Sequence, residues 1–111
     1  MKIQILFLFI LLKPACAFSS GSSGKGKADF IYQRSSDGHI AIWKLNGPWD
    51  NPDGCQDSSR LVIEGSNTFR DSFVSSVLSA KMADRDMGAF LVGCSDWNGV
   101  THPTVFGIYN Y

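Results

Sequence analysis

The sequence is poor in the residues that usually mark chemistry. It has two histidines and three cysteines in 111 residues, and no Gly-x-Ser-x-Gly, so neither a nucleophile elbow nor a histidine-rich metal cluster can be built from local motif. Basic and acidic residues balance at ten each, with no basic run or stripe of the kind that tracks a phosphate backbone. A nucleic-acid partner is therefore not expected. No apolar stretch reaches the roughly 20 residues of a membrane-spanning helix, and no membrane span is expected. The acidic loop around Gly54 does not fit an EF-hand. Counted back from that glycine, Trp49 falls at the first ligand position, leaving Asp53 and little else. Neither a metal nor a cofactor is expected.

The start of the chain does carry a signal. Lys2 precedes an almost unbroken apolar run over residues 3–12, and Ala15-Cys16-Ala17 supplies a small-residue cleavage site. Residues 1–17 read as a secretory signal peptide, which places the protein outside the cytoplasm, secreted or periplasmic. Lipid attachment at Cys16 is the competing reading, but Lys13 stands where that signal wants a leucine-like residue. Cleavage removes Cys16 and leaves two cysteines, Cys55 and Cys94. An even pair in an exported domain of this size is most simply a disulfide, and the 39-residue separation is far from a Cys-x-x-Cys redox or zinc pattern.

Residues 18–27, FSSGSSGKGK, have nothing to bury after Phe18 and are expected to form a flexible Gly/Ser arm. Residues 28–111 then make one domain. Two β-rich runs, 29–34 and 39–45, flank Asp37-Gly38 and predict a hairpin. Residues 46–58 form a long loop dense in Gly, Pro, Asn and Asp, and residues 60–63 a third strand. Phe69, Phe73, Val77 and Ala80, widened by Val74, Leu78 and Met82, recur at helical spacing, with Thr68 and Asp71 placed as a capping box. Ser66 and Asn67 compete for the cap. Gly88 ends the pattern, an apolar strand leads to Cys94, residues 95–103 read as a second polar loop, and residues 104–111 close the sheet. The expected fold class is α+β, mainly β: a five-stranded antiparallel OB-like barrel or sheet with one helix between strands 3 and 4. A flat α+β sandwich has the same periodicity.

The candidate site lies in the two loops beside the cysteines. Trp49, Asp50 and Asp53 precede Cys55, and Asp96, Trp97 and Asn98 follow Cys94. A Cys55–Cys94 bond is expected to draw these loops toward one end of the domain. Indole faces stack on sugar rings while Asp and Asn pair with hydroxyls, so the six residues are the expected contacts of a glycan or another surface ligand. The same composition also suits loops in which the indoles cover the ends of the core. His39 and His102 offer acid–base chemistry without a phosphate-binding constellation around them, so an enzyme is not expected. A secreted interaction protein or inhibitor with a protein ligand is the alternative.

Taken together, a secreted chain of this size with Ser72-Phe73 and Ala80 on a helix, a following apolar strand, then Trp97 and Pro103 before a closing strand, resembles the B subunits of subtilase-cytotoxin and typhoid-toxin type. It is also similar to short secreted bacterial proteins that share Asn-Pro-x-Gly-Cys (51–55) and a strand ending Gly93-Cys94. The resemblance covers roughly residues 40–111. It implies an OB-fold protomer, a homo-oligomeric ring of five and recognition of cell-surface glycans, and it carries over no individual site residue.

Overall fold

The computed structural model describes residues 20–111. The signal peptide predicted at residues 1–17 lies outside them. Among these residues, six strands and one helix follow in the order β1 (Gly21–Ser22), β2 (Ala28–Gln33), β3 (Ile40–Lys44), β4 (Arg60–Ile63), α1 (Arg70–Met82), β5 (Met87–Trp97) and β6 (Val100–Asn110). The fold is mainly β with one helix, and the sheet runs β1-β5-β6-β4-β3-β2.

Two details differ from five antiparallel strands with a helix after the third. The strands number six, with the helix between β4 and β5, and β4 pairs with β6 in parallel at Val62 and Thr104. The extra strand comes from the tract expected to be a flexible arm. Gly21 and Ser22 pair with Leu91 and Phe90 of β5, and Gly26 bridges Met87. Composition was a poor guide because this segment does not need apolar side chains to be held. The amide of Ser23 donates to the Ala89 carbonyl at 2.8 Å, and its buried hydroxyl accepts from the Ala89 amide at 2.8 Å. After residues 23–27 the same segment becomes β2 and pairs with β3. One stretch of chain thus supplies both outer strands of the sheet, β1 and β2.

Alternation in β3 and β4 explains how the domain is packed. Ile40, Ile42, Leu61 and Ile63 face inward and join Met87, Ala89, Leu91 and Val105 with Val77 and Ala80 of the helix. Ala41 and Val62 face outward yet are equally buried, because Trp97 packs on them with Trp43 at the border. These short strands are therefore apolar on both faces, as buried strands must be. The helix buries less than its sequence stripe promised. Val77 and Ala80 are enclosed and Phe73 and Val74 partly so, while Phe69, Leu78 and Met82 are exposed. Its start also differs, since Thr68 makes no cap. Phe69 holds the cap position without a side-chain bond, and Asn67 turns the chain by accepting the Phe69 amide at 2.8 Å.

The largest change of boundary is at β5 and β6. Residues 95–103 are not a loop: the strands pair from Met87–Asn110 out to Trp97–Val100. Only Asn98 and Gly99 connect them, with φ of 55° and 85°. That is the signature of a tight hairpin turn needing positive φ at both central residues, which Asn-Gly supplies at least cost.

Candidate ligand-binding face

The Asn98-Gly99 turn places Trp97 over the outer face of β3 and β4, and a ladder of aromatic rings and guanidinium groups is built from it. The Arg34 guanidinium lies 4.3 Å from the Trp97 ring centre on one side. Arg60 lies 5.5 Å from Trp97 and 4.6 Å from Trp43. Trp43 in turn meets Phe30 of β2 at 5.0 Å, and Tyr32 meets Trp97 edge-on at 6.1 Å. Each cation over an indole face is an electrostatic contact with the ring quadrupole, stronger where water is partly excluded. Trp97 is 6 % exposed, whereas Phe30 and Tyr32 are 53 % and 47 % exposed. The buried indole is the base of this face and the two β2 rings are its accessible part.

Polar groups set the edge of the ladder. Arg34 binds Asp37 through two nitrogens and donates from Nη1 to the Asn98 side-chain oxygen at 3.1 Å, tying the β2–β3 loop to the β5–β6 turn. The Arg34 guanidinium, then the His39 amide donating at 3.0 Å, hold the Asp37 carboxyl well below the usual carboxylate range. His39 accepts the Gly65 amide at Nδ1, 2.9 Å away. Arg60 forms no ion pair among the described residues, and its buried Nε has no hydrogen-bond partner.

His102 is a different matter. Its ring is buried on β6, with Nδ1 donating to the Asp57 carbonyl at 2.9 Å. Burial pushes its pKa down from 6.5, further than the Asp57 carbonyl draws it up, and Arg60 adds to the fall. Asp57 and Asp96 oppose it electrostatically. The Asp57 carboxyl is itself lowered, first by the Ser59 amide at 2.8 Å. The sign follows from linkage: below pH 6.5 the unfolded chain takes up a proton that the buried His102 ring resists, so stability falls as pH drops through that value. The contributions of Asp37 and Asp57 have the opposite origin. They persist above the ordinary carboxylate range, near pH 4, and are lost only in stronger acid. The melting temperature should therefore fall between pH 7 and pH 5 in the native protein and fall less in His102→Gln. Equal slopes would remove His102 as the cause.

The six residues expected to share one site divide into two groups. Asp96, Trp97 and Asn98 stand at this face, with Asp96 accepting the Gly99 amide at 3.5 Å and Asn98 accepting from Arg34. Trp49, Asp50 and Asp53 do not. Trp49 is 2 % exposed, belongs to the inner core, and donates from Nε1 to the Ile42 carbonyl at 3.0 Å. Asp50 donates its amide to the Ser23 carbonyl, and Asp53 accepts the Gly93 amide at 2.7 Å. The Cys55–Cys94 disulfide is present, but it does not bring the indoles together. Trp97 lies three residues beyond Cys94 along an extended strand, about 10 Å at the rise of a β-strand, and Trp49 turns into the core instead of toward it.

Phe30, Tyr32, Arg34, Trp43 and Arg60 were not among the expected site residues. The signal that could have found them is parity: Ile40 and Ile42 alternate with Ala41 and Trp43, so the aromatic member of β3 must face away from the core, as must Phe30 and Tyr32 on its paired strand. Among the described residues, no group of three or more His, Cys, Asp or Glu side chains could hold a metal ion. Compared with known proteins, the chain matches no protein-family model, no curated protein and no solved structure.

Proposed function

We propose that this protein is a secreted, non-enzymatic binding module built as an OB-like barrel, and that it recognises a glycan on the aromatic face of β2 and β3. The observation that carries the reading is the pair of accessible rings, Phe30 and Tyr32, set beside Trp43 and Arg60 with the Asp37 and Asp96 carboxylates at the margin. Rings of this kind stack on the apolar faces of pyranoses, and carboxylates take their hydroxyls.

Topology supports the barrel reading. Apart from β1, the strands follow the order β2-β3-β4-β6-β5, with the helix before β5 and a chain segment running from β5 to β3 that brings the sheet's edges together. In OB-folds the ligand lies on the face of the second and third strands, which correspond to β3 with Trp43 and β4 with Arg60, beside the β2 rings, and between the first hairpin loop and the loop joining the last two strands. Here those positions are the loop between β2 and β3 and the Asn98-Gly99 turn, which Arg34 links. Balanced charge favours a sugar over a nucleic acid. The disulfide and the absence of a membrane-crossing helix among the described residues agree with an exported protein. The likeness to toxin B subunits, with a ring of five, belongs to the same proposal.

A glycan array probed with the mature protein, with its assembly mass measured in parallel, tests this reading. Tyr32→Ala should weaken the best array signal about tenfold, the loss of roughly one stacking contact, with the protein still folded. No binding to any glycan, or binding indifferent to both Tyr32→Ala and Phe30→Ala, would sink the proposal and favour a protein ligand.

A further inference from the structure

A second site lies on the other side of β3. Trp43 and Lys44 are consecutive, so their side chains leave opposite faces of the strand, and Lys44 follows Ile40 and Ile42 toward the end of the inner core. Its ammonium group lies 5.7 Å from the Trp49 ring centre. The stem passes over Gly26 so closely that a Cβ there would sit 2.4 Å from Lys44 Cε. Glycine at this position lets the lysine lie flat across the strand.

Lys44 shares a cleft of about 290 Å³ with Lys25, Lys27, Leu45, Asn46 and Asp86. Three lysines and one aspartate thus line it. Lys27 is paired with Asp84 at 3.0 Å and Lys25 with Asp86 at 3.8 Å, the Lys25 ammonium also lying 4.9 Å from the Tyr111 ring centre, while Lys44 has no acidic partner among the described residues. An excess of positive charge in a cleft raises the local potential and concentrates anions. No arginine lines it, so its cationic donors are ammonium point charges whose rotatable N–H groups can follow the oxygens of a tetrahedral anion.

We infer that this cleft binds a tetrahedral oxyanion, sulfate or phosphate, free or as an ester, with Lys25 and Lys44 as its principal contacts and Asn46 as a neutral donor. Asp86 opposes the anion and limits its affinity. The site is independent of the aromatic face.

The test is a titration of the isotopically labelled, folded protein with sodium sulfate and separately with sodium phosphate, against sodium chloride at equal ionic strength. Saturable shifts of the Gly26, Leu45 and Asn46 amides are expected with the oxyanions and not with chloride. Whichever of the two binds tighter identifies the ester to seek. Lys44→Gln and Lys25→Gln should each weaken binding about tenfold, and Asp86→Asn should tighten it. Because Lys44 packs beside Trp49, the exposed Lys25 carries the test if the Lys44 variant unfolds. Chloride producing the same shifts, or affinity unchanged in Lys25→Gln, would overturn the assignment, as either leaves only general ionic screening.

Discussion

Trp49→Ala is expected to lower stability by about 3 to 5 kcal/mol, the range for removing a fully enclosed large aromatic side chain. Trp49 is held in the long loop between β3 and β4 by its amide, which donates to the Ser58 carbonyl at 2.9 Å, and by its ring, which enters the core beside Ile42. Truncation would leave a cavity that the β-strands cannot close, because their register fixes the surrounding residues, and would remove the indole donor from the Ile42 carbonyl. Trp49→Phe should recover most of the loss. It keeps much of the volume and gives up one hydrogen bond, worth about 1 kcal/mol net. Urea unfolding of the three proteins checks the ordering. A near-neutral Trp49→Ala would mean that the ring is outside the core, and would return it to the list of surface contacts. The expected pattern separates it from Tyr32, whose truncation should change binding and leave folding intact.

Trp49 also marks how far the sequence could be read. The hairpin at Asp37-Gly38, the third strand and the helix were legible because each has its own local signal: a turn dipeptide, an alternating run, a periodic stripe. The role of an indole in a polar loop has no local signal. Its position depends on where the chain goes next, and here the loop folds back so that Trp49 fills the end of the sheet. Trp97 shows the converse. Its neighbours Asn98 and Gly99 carry a strong turn signal that, taken on its own, extends both strands to the turn and places the indole at a strand end. Reading residues 95–103 by their polarity hid this, since exposed strand faces are polar too. The β1 pairing was hidden for a third reason. Backbone hydrogen bonds, which need no particular side chain, hold a Gly/Ser segment that composition reads as free. As a result Arg34 and Arg60, which build the outer ladder, stood in the sequence as scattered basic residues. Only the packing of β2, β3 and β4 side by side, with Trp97 across them, gives those charges a common face.

Breaking the Cys55–Cys94 bond should cost about 4 kcal/mol, the chain-entropy value for a loop of this length. That corresponds to a fall of about 15 to 30 °C in melting temperature for a domain of this size. The bond joins residues 39 apart with their Cα atoms 5.7 Å from each other, fixing the long loop against β5. Other contacts hold the same loop in the folded state. Asn51 and Cys55 exchange hydrogen bonds of 2.7 and 2.9 Å, Asp53 accepts the Gly93 amide, and Gln56 and Thr101 bind each other through amide and side chain. Reduction therefore removes little of the native structure directly, and the loss comes mainly from freeing the unfolded chain. Two outcomes follow. The reduced protein, kept well below its melting point, should still show the Gly93 and Thr101 amides protected from exchange and should bind ligand on the β2–β3 face as the oxidised protein does. Its melting temperature should nevertheless fall by the amount given. Unchanged melting with reductant, after mass analysis shows two free thiols, would mean that the native contacts alone hold the loop and that the cross-link adds nothing. Loss of those protected amides at low temperature would instead make the bond part of the native architecture, and the entropic account would fail.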